Sequence, residues 1–189
     1  MSLSDFTFIE LKQSPAVGSF DCGDGDLNDF LCNDSLNYQN QLMSKTYLFT
    51  NATGVVAFFS ISNDTLTDKG EGGWNKLLRA LGIPNEKRRK MFPAVKLGRL
   101  GVKIGTQSGG IGKEIIELII GLVLFKSKSA CRFLIVDSYN NPRTIGFYTR
   151  NGFQFLLGDS DQNDRTRIMF LDLLPYWDAA LNHPLAVQV

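Results

Sequence analysis

Histidine is almost missing from this 189-residue chain; His183, near the end, is the only one. Histidine-based catalysis and a histidine-rich metal site are thereby set aside, and no metal is expected. Cysteine is scarce and odd in number. Cys22, Cys32 and Cys131 show no C-x-x-C spacing, which fits reduced thiols in a cytoplasm rather than a disulfide framework. Charge of one sign is also lacking, since 20 Lys and Arg face 19 Asp and Glu, so no polybasic surface dominates the chain. Long apolar runs are absent. The most apolar stretch, Ile115 to Phe125, is interrupted by Glu117 and covers about half a membrane span; it reads as a buried helix, with no membrane partner. Phe6, Phe8 and Ile9 are separated or flanked by polar residues, so the N-terminus carries no signal-peptide core. The expectation is one cytoplasmic domain over residues 1–189, long enough to bury a real core.

What is present centres on Leu100 to Phe125, LGVKIGTQSGGIGKEIIELIIGLVLF. A short apolar strand enters a glycine turn and then a strongly apolar helix. A helix N-terminus has unpartnered N–H groups and partial positive charge, so Gly109, Gly110 and Gly112 would let backbone donors approach a phosphate closely. The spacing is neither G-x-x-x-x-G-K-[ST] nor G-x-G-x-x-G. On spacing alone the run reads either as an anion-binding turn or as a glycine-rich turn without a ligand.

Gln107-Ser-Gly-Gly110-Ile-Gly112 fits [RQ]-x-x-G-x-[GA] and resembles the acetyl-CoA pyrophosphate loop of the GCN5-related N-acetyltransferase (GNAT) superfamily. Asn141-Pro-Arg-Thr-Ile-Gly-Phe-Tyr148-Thr-Arg-Asn-Gly152-Phe153 resembles that superfamily's N-x-x-A-x-x-F-Y-x-x-x-G-F segment, with Thr144 in place of the usual Ala. Phe20-Asp21-Cys22-Gly23 followed by Leu27-Asn28-Asp29-Phe30-Leu31 is similar to the N-terminal signature of the toxin branch. Members of that branch acetylate the amino group of aminoacyl-tRNA and are silenced by a small antitoxin.

The resemblance implies an α/β (α+β) fold: a mixed, mostly antiparallel central sheet with helices on both faces and a β-α-β cofactor-binding unit. It implies acetyl-CoA as co-substrate, held by Leu100 and Val102 on the central strand, by Gln107, Ser108, Gly109, Gly110, Ile111, Gly112 and Lys113, and by Asn141. Direct transfer to an amine then needs a donor for the charged thioester oxygen, assigned to the backbone N–H at Val102, and an acid for the leaving thiolate, assigned to Tyr148. Asn141 also reads as an N-cap ahead of Pro142.

Around these motifs the chain alternates between strands and helices. Thr7 to Leu11, Thr46 to Thr50 and Val55 to Ser62 read as strands, the last two joined by the hairpin composition of Asn51 to Gly54. Asp24 or Asp26 can cap a helix over about Leu27 to Leu42; the acidic loop before it lacks EF-hand spacing. Asn63 to Gly73 reads as a surface loop. Trp74, Leu77, Leu78 and Leu81 have helical spacing, stopped by Gly82 and Pro84. Ala94 to Ile104 is the cofactor strand, and Gly112 to about Lys126 its helix. Arg132 to Asp137 should run parallel to the cofactor strand, with a helix from Asn141 to Asn151. Phe153 to Leu157 and Thr166 to Leu173 form a closing hairpin around the polar loop Gly158 to Arg165. Tyr176 and Trp177 sit in a tail tucked against the body.

The one dense basic cluster, Lys87-Arg-Arg-Lys90, reads either as a solvated helix face or as a phosphate contact for RNA. No strong general base stands out. An α-amino group, with a pKa of about 7.7 to 8.0, is partly neutral at cytoplasmic pH, whereas a lysine near about 10.4 is not; this favours an α-amino or similar weakly basic acceptor. Asp64, Glu71 and Asp137 are candidate bases acting through water. The acceptor is an amine: aminoacyl-tRNA, a small amine or a protein N-terminus. An antitoxin and a second copy of the chain are the candidate protein partners. A non-catalytic acyl-CoA-binding or partner-binding module is the competing class, opposed by the intact Gln107, Gly110, Gly112 and Tyr148.

Overall fold

The structure is a computed structural model that describes residues 2–13, 20–70, 72–107, 109–156 and 164–182. Its strands are β1 (Thr7–Glu10), β2 (Lys45–Asn51), β3 (Gly54–Thr67), β4 (Met91–Val102), β5 (Phe133–Tyr139), β6 (Gln154–Phe155) and β7 (Thr166–Asp172). They form a mixed sheet in the order β1-β2-β3-β4-β5-β7-β6. The helices are α1 (Gly25–Asp29), α2 (Ser35–Asn40), α3 (Trp74–Ala80), α4 (Ile111–Gly121), α5 (Pro142–Arg150) and α6 (Leu174–Asn182). β4 and β5 pair in parallel, Ala94 with Phe133 through Lys96 with Ile135, so β4, α4 and β5 make the expected β-α-β connection. The other assigned pairings, β1 with β2, β2 with β3, β5 with β7 and β6 with β7, are antiparallel.

The chain divides into two compact units. One comprises Met1–Ser62 and Leu97–Ile119, the other Asn63–Lys96 and Ile120–Val189. In the first, Leu11, Phe20, Phe30, Leu31, Leu48, Val55 and Phe58 form a core cluster. Asp24 caps α1 by accepting from Leu27 N at 3.0 Å. The expected helix over Leu27 to Leu42 is broken by a wide turn at Phe30–Asp34. Ser35 Oγ donates to Leu31 O there at 2.8 Å, a back-bond that bends helices. Gly101 is where β4 admits close packing, because a Cβ built there would lie 2.6 Å from Phe58 Cε1.

In the second unit, Leu66, Trp74, Leu78, Ile83, Ala94, Phe133, Ile135, Leu156 and Phe170 make the core. The surface loop expected from Asn63 is strand as far as Thr67. Leu66, 1% exposed, is the buried anchor that draws this polar stretch into the sheet. Arg132 clamps the chain by donating to both carboxylate oxygens of Asp172, at 2.9 and 2.7 Å, and to Leu81 O at 2.6 Å. The expected tail is the helix α6, in which Tyr176 and Trp177 are each 39% exposed and Trp177 tucks against the body by stacking on Phe125. The polar loop Gly158 to Arg165 lies mostly outside the described residues, as do Glu71, Ser108 and His183. Among the described residues no helix is long and apolar enough to cross a membrane, and no group of His, Cys, Asp or Glu gathers to hold a metal.

Candidate functional site

The turn between β4 and α4 is built on backbone bonds. Leu100 and Val102, at the end of β4, are half-buried. Just beyond them Lys103 N donates to Val56 O at 2.8 Å, and Thr106 closes a turn onto Lys103 O through its N (3.1 Å) and its Oγ1 (2.7 Å). Gln107 Nε2 donates to Cys22 O and to Val102 O, each at 2.8 Å. Gln107, expected to face the cofactor, therefore ties the turn to the Phe20–Gly23 segment. Ile104 N adds a bond to Asp21 O at 2.8 Å.

That segment is itself held by Asn28, whose Oδ1 accepts from Cys22 N at 3.0 Å and whose Nδ2 donates to Asp21 Oδ1 at 2.9 Å. Asp21 also accepts from Gly23 N, and these bonds, Gly23 first, hold its carboxyl below the ordinary range. The N-terminal signature is thus the backing of the glycine turn. Nothing in its spacing announces this.

Gly109 and Gly110 are exposed. Gly110 has φ +88°, a left-handed conformation that side chains resist, and its carbonyl accepts from Lys113 N at 2.9 Å and Glu114 N at 3.1 Å. Ile111 is 1% exposed, so its side chain anchors α4 and only its backbone can face a ligand. Lys113 pairs with Glu117 at 3.2 Å on the surface. Glu114 accepts from Ser2 Oγ at 2.9 Å and Leu3 N at 2.6 Å.

In the second unit, Asn141 caps α5 by accepting from Thr144 N at 2.9 Å, with Pro142 following as the first helical residue. Tyr148, on α5, is 7% exposed and packed edge-on between Phe147 and Phe153, with ring centroids at 5.0 and 5.2 Å. Burial alone pushes its phenol well above the ordinary range.

The basic run forms a single 3₁₀ turn, Asn85–Lys87, followed by extended chain, and presents no helix face. Lys87, Arg89 and Lys90 are exposed. Arg88 is half-buried and donates through Nε to Ile83 O at 3.2 Å, while Arg89 O accepts from the Trp74 indole at 2.8 Å. The two described candidate bases stand together: Lys96 Nζ lies 2.5 Å from Asp137 and 3.7 Å from Asp64. Sequence reasoning does not single out Lys96. Its signal is a break in the alternation of β4, a lysine two residues after buried Ala94.

Solved structures share this fold. A Tyr-to-Phe mutant of KacT matches with a TM-score of 0.75 at 19% identity, over 92% of this chain and 98% of that one. AtaT complexed with acetyl-methionyl-tRNAfMet gives 0.75 at 19%, over 93% and 99%. A Tyr-to-Phe mutant of the AtaT toxin bound to the C-terminus of the antitoxin AtaR and to acetyl-CoA gives 0.67 at 20%, over 90% and 95%. The chain has the GNAT-like fold of these proteins. No protein-family model matches it.

Proposed function

We propose that this chain is an acetyl-CoA-dependent N-acetyltransferase that modifies the amino group of aminoacyl-tRNA, as the toxin of a toxin–antitoxin pair. The observation that carries the reading is Tyr148, a phenol packed between Phe147 and Phe153 on a helix capped by Asn141. Support comes from the neighbours: AtaT is solved with acetyl-methionyl-tRNAfMet, and with an antitoxin segment and acetyl-CoA.

The residues at the start of α4 fit an anionic cofactor arm. Gly109 and Gly110 are exposed, and a Cβ at Gly109 would meet nothing closer than Thr106 O at 3.6 Å. The backbone from Ser108 to Gly112 would take the pyrophosphate, with the Lys113 ammonium beside it since Lys113 N is bonded to Gly110 O, Gln107 shaping the turn and Leu100, Val102 and Asn141 holding the rest of the arm. Acetyl-CoA supplies an acetyl group activated as a thioester. Val102 N–H is assigned to the oxygen on which charge builds, and Tyr148 gives its proton to the departing sulfur. The acceptor amine loses one proton as its nitrogen bonds the acetyl carbon, which returns the phenol to its neutral form. Lys87, Arg88, Arg89 and Lys90 are assigned to the phosphates of the acceptor RNA. A small antitoxin and a second copy of the chain are the protein partners this reading calls for.

The test replaces Lys87, Arg89 and Lys90 with Gln, leaving Arg88 because it ties the loop to Ile83. Wild type should acetylate charged tRNA, detected by mass spectrometry against peptides and polyamines. Its tRNA affinity should fall steeply with salt, and the variant should flatten the log–log slope by about 0.9 for each phosphate it no longer neutralises. Acetyl-CoA affinity should stay the same. An unchanged slope removes the basic run from the RNA site. Transfer by wild type to peptides or polyamines alone refutes the tRNA acceptor.

A further inference from the structure

The second unit contains a cavity of about 220 Å³ lined by the two described candidate bases, Asp64 and Asp137, and by none of the residues assigned to the cofactor. Its apolar lining is Leu66, Ile135, Leu156 and Ile168, and its charged lining is Asp64, Lys69, Lys96 and Asp137. Strand alternation explains this mixture. Ala94 and Lys96 share one face of β4, Phe133, Ile135 and Asp137 share one face of β5, and Leu66 and Asp64 share one face of β3. Each of these rows begins in the apolar core and ends in a charge. These charged ends reach water, with side chains 29% exposed at Lys96, 36% at Asp64 and 42% at Asp137, so the ion pairs there contribute little net stability.

Their arrangement suits an amine. Lys96 Nζ sits against Asp137 at 2.5 Å and Asp64 at 3.7 Å. Two carboxylates and two ammonium groups, those of Lys69 and Lys96, leave the lining formally neutral. Uncompensated carboxylates would hold an incoming ammonium in its charged, unreactive form, whereas a compensated pair can accept N–H bonds from an amine without fixing its proton. Leu66, Ile135 and Leu156, all at most 6% exposed, form the cavity's apolar floor.

We propose that this cavity is the subsite for the acceptor's amino end. Asp137, with Asp64, receives the amino group, the four apolar residues receive a neighbouring aliphatic side chain, and Lys96 is a positioning residue that balances the carboxylates. The ligand class is an α-amino acid whose carboxyl is esterified or amidated. The inference rests on the reading that the chain transfers to an amine, but its first test does not depend on turnover.

The probe is L-leucinamide, titrated into the full chain by calorimetry, with N-acetyl-leucinamide as the control lacking a free amine. Wild type should bind the first and not the second. Asp137→Asn, close in size and partly exposed, should weaken leucinamide about 10- to 100-fold, the scale of a hydrogen bond to a charged group, with acetyl-CoA affinity unchanged. Lys96→Met should lower both KM and kcat for leucinamide acetylation, because the two carboxylates then bind the ammonium form more tightly. A merely structural lysine would not produce that split. Equal binding of both probes by wild type, unchanged affinity in Asp137→Asn, or a raised KM in Lys96→Met overturns the subsite. If wild type acetylates charged tRNA and Asp137→Asn binds leucinamide normally, the subsite falls and the acetyltransferase reading stands. If leucinamide binding depends on Asp137 but no amine is ever acetylated, the subsite stands and that reading falls.

Discussion

At the start of α4 the groups offered to a ligand are backbone N–H groups on exposed glycines, whereas α5 offers a side chain buried to 7% exposure. The glycine turn works by removing bulk, and its conformation is carried by Gly110 at φ +88°. Tyr148 is set by packing, since aromatic neighbours enclose its ring and the loss of water raises its pKa. One region depends on which residue cannot be larger, the other on what surrounds a residue. They should respond differently to mutation, to pH and to packing.

The largest effect is expected at Tyr148. Tyr148→Phe keeps the ring and its packing but deletes the proton donor, so turnover should fall about 10²-fold or more, with acetyl-CoA affinity unchanged by calorimetry. Turnover equal to wild type would show that the thiolate leaves without help from α5. Gly101→Ala tests close packing without touching either region. With Phe58 Cε1 2.6 Å from the added carbon, overpacking should cost about 1–3 kcal/mol in urea denaturation; an unshifted midpoint would mean that β4 relaxes freely.

The burial of Tyr148 also has a pH signature. Desolvation raises its folded pKa above that of a free phenol, so the folded state keeps the phenolic proton where the unfolded chain loses it. Its contribution is fully present below the unfolded value of about pH 10 and is lost as pH rises above it. Wild-type stability should therefore fall by up to about 1.4 kcal/mol per pH unit more steeply than that of Tyr148→Phe above about pH 10. Parallel curves would mean that the phenol is not desolvated. The smallest effect separates two adjacent glycines. Gly110→Ala should cost roughly 1 kcal/mol, because alanine resists positive φ, and should weaken acetyl-CoA. Gly109→Ala has only an ordinary contact with Thr106 O at 3.6 Å and should leave stability within about 0.5 kcal/mol. Identical behaviour of the two would remove backbone conformation as the basis of the turn.

Much of this organisation is legible in the residues. Asn141, and one of Asp24 and Asp26, are readable as N-caps because capping is a local bond between a side chain and the backbone two or three residues on; Asn141 and Asp24 make it. The parallel pairing of β4 with β5 follows from an apolar helix between two apolar strands. The end of β3 is not legible because Asn63 to Thr67 is polar, and one buried Leu66 decides its state. In the tail, the docking of the aromatic pair is legible, since Trp177 stacks on Phe125, but the helical state of α6 is not.

The sequence by itself determined the elements whose signals are local: the glycine turn, the capped helix with its tyrosine, and the apolar periodicities that make a mixed sheet. Tertiary structure alone decided that Gln107 bonds Cys22 O and Val102 O, 85 and 5 residues away, and that Asp64, Lys96 and Asp137 share one cavity. A local signal depends on neighbours within one turn of chain, which the order of residues supplies. Contacts such as these depend on strand register and on which face each residue takes, and register is set only when the whole sheet pairs.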